Sequence, residues 1–359
     1  MQIDFSPDRW DKLAADWEAW WDHRLARPMV MIEKFAPDER MRSLEQKLKA
    51  SSLFQLTQNV SIPDVLNHYE HQLECTAFYG DSWPRCVPDF GPGIVAGFIG
   101  AKVNVSPETV WFEPPENGLA DNSIIAFDDS NPWYQRVMDI TMRAVEKWHN
   151  TINVGFTDFG GNLDILASMR GTERLLMELY DKPAQVHKWV EQITKVWIEY
   201  YNSFFSALSP IQRGFCSWAP LFSTKRTYML QSDFSYMISP EMFENYVVPD
   251  ITTCCDVLDH PFYHLDGRGQ LPHLRHLLRI EKLRGIQWIP GEGSGNVEDY
   301  IDVLKKIKDA GKLCQVYVSA QGAFQIKRML GGEGFAFKII EDKMSFDDIS
   351  RLLTELYKD

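Results

Sequence analysis

Residues 261–320 read PFYHLDGRGQLPHLRHLLRIEKLRGIQWIPGEGSGNVEDYIDVLKKIKDAGKLCQVYVSA. Pro261 to Leu265 is a short apolar run of the kind found in a buried strand, and Leu271, Leu274, Leu277 and Leu278 mark a helix behind it. Gly285 to Ile289 is a second such strand. Val297, Tyr300, Ile301, Leu304 and Ile307 recur at helical spacing, and Gly311 stands where a helix C-terminus favours glycine. Leu313 to Val318 is a third strand. Short apolar strands alternating with helices imply a parallel sheet covered by helices.

The alternation extends outward. A helical pattern from Tyr134 to His149 precedes the apolar run Ile152 to Phe156. Helices are expected after Thr172, read as an N-cap, and from Pro183 to about Phe205. Strand-like runs follow at Gly214 to Trp218 and Thr227 to Gln231. Ser239-Pro240-Glu241 is a strong helix start, and Phe346, Ile349, Leu352, Leu353 and Leu356 form a closing helix. Residues 80–120, rich in proline and glycine, read as loop. Near the N-terminus Trp10, Trp17 and Trp21, with Leu13 and Trp20, form one helical stripe that would cover the core; Arg27-Pro28 ends it, MVMIE (29–33) suits a short strand, and 40–50 is again helical. No linker divides the chain, and no G-x-G-x-x-G follows a strand. The expected architecture is α/β, a single (β/α)8 TIM barrel (51–359) with an N-terminal helical extension (1–50).

The 359 residues are 45% hydrophobic and 24% charged, enough for a sizeable core. With 37 Lys+Arg against 50 Asp+Glu the net charge is -13, a poor match for nucleic acid or an anionic membrane surface. No stretch suits a bilayer span, and the acidic, helical N-terminus is unlike a signal peptide, so a cytoplasmic protein is expected. Six scattered cysteines without a CxxC suggest reduced thiols. Cys254 and Cys255 read as core packing, and Cys216 as a small buried thiol.

In a barrel the chemistry lies where strands end. Those positions hold Thr157, Asp158, Asn162 and Asp164; Cys216 and Trp218; Gln231, Asp233 and Tyr236; His264, Asp266 and Arg268; Glu292 and Ser294; Ser319 and Gln321. His264 and Asp266, two apart on a strand, point the same way. They suit one cation, or a base with its orienting acid; alternatively the pair pins the Gly267-Arg268-Gly269 turn, with Asp266 bracing Arg268. Glu292 lies among glycines that let the backbone turn tightly, as a third ligand or as a solvated loop acid. Trp218, Tyr236, Phe262 and Trp288 lie near strand ends and fit either an apolar pocket or core filling.

The segment Gln231 to Pro249 (QSDFSYMISPEMFENYVVP) resembles the signature segment of the uroporphyrinogen decarboxylase superfamily. Asn162 to Gly171 (NLDILASMRG), Glu178 to Pro183 (ELYDKP) and Tyr263 to Gly267 (YHLDG) are similar to its pattern as well, and the likeness spans roughly 60–355. It implies a (β/α)8 barrel with a deep cleft, and either a porphyrinogen decarboxylase or a cobamide-dependent methyltransferase that uses zinc. The R-Q-A-G-R-Y segment of the decarboxylases is missing. A substrate with eight carboxylates needs several fixed guanidiniums, whereas this acidic chain offers only Arg85, Arg170, Arg226 and Arg268 as scattered candidates. The branch that methylates coenzyme M carries H-x-C where this chain has His264-Leu265-Asp266, and no cysteine follows Cys314.

The resemblance therefore implies a substrate:corrinoid-protein methyltransferase that demethylates a small methoxylated or methylated compound at oxygen. Zinc would sit on His264, Asp266 and Glu292. His264, Asp266, Asp233 and Tyr236 would act in catalysis, and Asp158, Asp164, Trp218, Gln231, Arg268 and Trp288 would bind substrate. A partner protein would bring the cobamide. Carboxylate in place of thiolate makes zinc more electrophilic, which favours an oxygen leaving group. A decarboxylase of a porphyrinogen-like or other carboxylated substrate, with Asp233 stabilising the protonated ring, is the second expectation. A non-catalytic tetrapyrrole- or corrinoid-binding barrel is the third. Such barrels often pair, so a homodimer is expected.

Overall fold

Eleven strands lie among the described residues: β1 (Met29–Phe35), β2 (Thr76–Gly80), β3 (Arg85–Cys86), β4 (Lys102–Val105), β5 (Val110–Glu113), β6 (Asn153–Val154), β7 (Thr227–Leu230), β8 (His260–Asp266), β9 (Gly285–Ile289), β10 (Leu313–Val318) and β11 (Phe335–Ile339). They belong to a computed structural model that describes residues 3, 5–48, 58–106, 109–341 and 343–358, and of 44–48 the backbone alone. Seven strands form one sheet in the order β2-β1-β11-β10-β9-β8-β7. Within it β1 pairs antiparallel with β2; every other neighbour pair is parallel. The parallel strands are apolar runs because helices cover the sheet. The register sets His264 opposite Gln287 and Leu265 opposite Trp288, and Gln287 opposite Gln315.

The expected eight-stranded barrel is only partly formed by ladders, which do not join into a ring among the described residues. β3 and β6 make a separate parallel pair of two residues each. Pro84 before β3 and Pro88 two residues after it have no N–H to donate to a longer ladder. Gly214 to Trp218, expected as a strand, is reduced to an isolated antiparallel bridge between Phe215 and Ser223, although Phe156 still donates its N–H to the Cys216 carbonyl (2.9 Å).

The helix Pro7–Trp21 is capped by Ser6 and buries Trp10, Leu13, Trp17, Trp20 and Trp21. Trp20 Nε1 donates to the Phe335 carbonyl (3.1 Å) and Trp21 Nε1 to that of Phe222 (2.8 Å). Trp21 stacks on His260, at the start of β8, and both indoles face Phe262. Phe262 therefore lines the end of the sheet closed by these tryptophans, not the end where β8 delivers His264 and Asp266. β1, read as part of the N-terminal extension, lies inside the main sheet between β2 and β11. The expected boundary at residues 50 and 51 lies outside the described residues.

Smaller differences have local causes. Residues 80–120 hold β3, the helix Val95–Phe98 and the β4–β5 hairpin. Gly171, at φ 87°, takes the N-cap position before Thr172. Pro272 has no N–H to donate, and the expected helix after β8 opens as a 3-10 turn, Arg268–His273, before Leu274–Leu278. The helices Ile62–Glu74 and Ala320–Leu330 and the strand β11 add to the expected elements. Among the described residues no helix is long and apolar enough to cross a membrane.

Candidate functional site

The alternation of β8 puts His264 and Asp266 on one face, with His264 Nε2 3.8 Å from Asp266 Oδ2. β7 ends one residue before Gln231, and the 3-10 turn Asp233–Met237 follows. That turn brings Asp233 to the pair, so that one ligand atom from each of Asp233, His264 and Asp266 lies within 4.8 Å of the others. Burial works against a charged His264, yet the carboxylates of Asp266 and Asp233 and the Gln287 side chain outweigh it and raise its pKa.

His264 is held from two sides. Its Nδ1 meets Gln287 Oε1, and Gln287 Nε2 donates in turn to Gln315 Oε1. Trp218 stands edge-on to the imidazole with ring centroids 5.0 Å apart. With Nδ1 occupied, Nε2 is the nitrogen turned toward the carboxylates.

Two carboxyl groups back the cluster. Asp158 accepts from the Gly160 N–H (2.8 Å) and from Gln231 Nε2 (3.3 Å). Its burial, reinforced by the Asp233 charge, pushes its pKa up to about 7. Asp164 accepts from the backbone N–H groups of Asp233 (3.0 Å) and Phe234 (2.6 Å), which fixes the turn carrying Asp233. Burial and the nearby Asp233 raise its pKa despite those two amides. Asp233 is solvent-accessible, but the surrounding walls strip enough hydration to raise its own pKa, with His264 pulling the other way. Gly161 makes this approach possible: a Cβ there would lie 2.1 Å from the Gln231 carbonyl oxygen.

Two recesses open here. One, about 430 Å³, includes Glu33, Arg85, Asp89, Asp158 and Trp218 in its lining. The other, about 510 Å³, includes Trp111, Asp164, Gln231, Asp233 and Met237. Tyr236 is exposed and lies over the Gly267–Gly269 turn; a Cβ on Gly269 would come within 2.4 Å of its ring.

The structure thus gathers Asp158, Asp164, Trp218, Gln231, Asp233, His264 and Asp266. Of the other four expected residues, Tyr236 stands at the edge, over the Gly267–Gly269 turn, and three are not brought in. Trp288 is fully buried and packs edge-on against Tyr300, because the residue that shares His264's face of the sheet is its neighbour Gln287. Glu292 is exposed in the loop after β9, outside the converging cluster, whose third member is Asp233. Arg268 is exposed and forms no ion pair with Asp266 among the described residues, so Asp266 does not brace it.

Sequence reasoning missed Gln287 and Gln315. Their signal was a polar residue inside an apolar strand, GIQWI and LCQVYV. It also missed Glu33 and Lys338, whose side chains pair at 2.8 Å, with Arg85 3.8 Å from Glu33. Burial works against ionising Glu33, but Arg85 and Lys338 prevail and hold its carboxyl below the usual range.

No protein-family model matches the chain, and no curated protein matches it in sequence. Among solved structures it is similar to a methyltransferase from Methanosarcina mazei, with a TM-score of 0.58 at 11% sequence identity over 96% of this chain and 98% of that one. At that identity the likeness is one of fold.

Proposed function

We propose that the chain removes a methyl group from the oxygen of a small methoxylated or methylated compound and passes it to the cobalt of a corrinoid carried by a separate protein. The observation that carries this reading is the convergence of Asp233, His264 and Asp266 at the β7 and β8 ends, in a fold similar over nearly its whole length to that of a methyltransferase. We take the arrangement as a barrel in which β3, β6 and residues 214–217 complete the wall between the two edges of the seven-stranded sheet.

Zinc fits the donor set. Nitrogen and carboxylate oxygen are accepted ligands, three protein ligands leave a position for substrate, and His264 is oriented by Gln287 as metal-bound histidines usually are. When bound, zinc supplies Lewis-acid polarisation of the methyl-bearing oxygen. In transfer the carbon–oxygen bond breaks, its electron pair stays on oxygen, and the methyl carbon bonds to the incoming nucleophile. Asp158, with its pKa pushed to about 7, is poised to donate a proton to the departing oxygen. Asp164 holds the turn that positions Asp233, and Trp218 walls one side against water. The exposed Trp111, Tyr236 and Met237 offer an apolar platform for the corrinoid face.

The charge of the recesses disfavours porphyrinogen decarboxylation. Arg85 is the arginine that lines them, and it faces Glu33. Purified protein mixed with cob(I)alamin and a panel of methoxyarenes, methanol and methylamines is expected to yield the methylcobalamin spectrum with an oxygen donor. Absence of any spectral change across the panel would overturn the assignment.

A further inference from the structure

A second group of metal-ligating side chains lies away from β8. His71 stands in the last turn of the helix Ile62–Glu74, and Cys75 is its C-cap residue. At four residues apart they share a helix face. Asp38, in the segment between β1 and the helix Glu39–Leu48, reaches over them. Its Oδ1 is 2.8 Å from His71 Nε2, and Cys75 Sγ is 3.8 Å from the same nitrogen. One ligand atom from each of the three lies within 4.8 Å of the others. Behind the ring, His71 Nδ1 faces Glu74 Oε2 at 3.2 Å.

The hydrogen count asks for a positive charge at His71, either a second proton or a metal ion. A neutral imidazole carries one N–H, but both nitrogens of the buried His71 face carboxylate oxygens. If Nδ1–H goes to Glu74, the Nε2 lone pair faces an Asp38 oxygen and the Cys75 sulfur. A second proton on Nε2 would serve Asp38 but leave the weakly accepting Cys75 sulfur unused, whereas a metal ion would engage all three. The carbonyl end of the helix adds negative potential at the same spot.

We propose that Asp38, His71 and Cys75 bind a divalent cation of borderline softness, zinc above all, with Glu74 as the positioning residue that orients His71. A nitrogen–sulfur–oxygen set selects such an ion over calcium or magnesium. Usual zinc bond lengths imply tetrahedral edges of about 3.6 Å for nitrogen to sulfur and about 3.3 Å for nitrogen to oxygen. The 3.8 Å contact already fits, and Asp38, exposed at the surface, has to withdraw by about half an ångström. Water completes the set. Binding releases the Cys75 thiol proton to solvent. The ion would clamp the end of β1 to the start of β2, where Ala36 already donates its N–H to the Cys75 carbonyl (2.9 Å).

Cobalt(II) tests this independently of the proposed function, because the Asp233–His264–Asp266 cluster contains no sulfur. Chelator-stripped full-length protein titrated with cobalt should develop a sulfur-to-cobalt charge-transfer band that saturates at one equivalent. Cys75→Ser should abolish the band and lower bound metal by one per chain. His264→Ala should leave the band intact, whatever becomes of the other cluster. Glu74→Gln should keep the band but weaken cobalt binding about 10-fold or more. No band in the wild type, or a band that survives Cys75→Ser, overturns the proposal.

Discussion

His264 and Gln287 are opposite each other in the β8–β9 register, and the imidazole Nδ1 meets the amide oxygen of Gln287. An amide oxygen only accepts, so this contact places a proton on Nδ1, and in the neutral ring Nε2, turned toward Asp266, is the nitrogen free to ligate. Gln287 is itself held by its bond to Gln315 one strand further on. A Gln287→Met variant keeps the side-chain volume but frees the ring to turn and change tautomer. Zinc affinity should fall about 10- to 100-fold, measured by competition with a coloured chelator. An unchanged affinity would reduce Gln287 to core packing.

Asp266 and Glu292 make a matched pair of tests, since both were expected ligands and only Asp266 lies in the cluster. Asp266→Asn preserves shape and removes the charge. Zinc occupancy and methyl-transfer rate should fall together by about 10-fold or more. Glu292→Gln alters an exposed loop side chain and should leave both unchanged, as surface changes away from a site usually do. Metal analysis and the cobalamin assay on the two variants decide it; equal losses in both would place the metal elsewhere.

What was legible in the sequence follows from periodicity. β7 to β10 and their helices could be read because buried parallel strands are apolar runs and their helices carry one apolar stripe. β6 lies within the apolar run Ile152 to Phe156 that could be read, but β3, at two residues, is too short to have a period. His264 and Asp266 could be paired because both lie on one strand. Asp233 was expected in the same site but as a catalytic residue and not in the ligand set, since its approach to the pair depends on a 3-10 turn anchored by Asp164 from a different part of the chain. Trp288 was misplaced by one residue of strand parity, which sends a side chain to the opposite face. The tryptophans of the first helix were correctly read as covering the core; that they close the end of the sheet remote from His264 depends on long-range contacts with Phe335, Phe222 and His260.

Asp250 makes the pH dependence of stability testable away from the cluster. It is buried in the helix Val248–Val257, and that burial pushes its pKa up to about 7. Local geometry agrees. Thr194 has one hydroxyl hydrogen and two oxygens in reach, the Val190 carbonyl at 2.8 Å and Asp250 Oδ1 at 2.9 Å. If Asp250 is protonated it donates to Thr194, Thr194 donates to Val190, and each oxygen is satisfied. In the unfolded chain the same carboxyl titrates near 3.9. Between about pH 4 and pH 7 the folded state therefore holds the extra proton, and stability declines as pH rises through that window, by at most about 1.4 kcal/mol per pH unit for this group. Above the folded pKa the contribution is gone. Asp250→Asn removes the titrating proton and keeps a neutral amide oxygen for the Thr194 hydroxyl and the Asn162 amide, both of which bond Oδ1. Urea unfolding at pH 5, 6, 7 and 8 should show a shallower decline in the variant than in the wild type. Parallel curves would mean that Asp250 is ionised throughout and shares a single hydroxyl hydrogen with Val190.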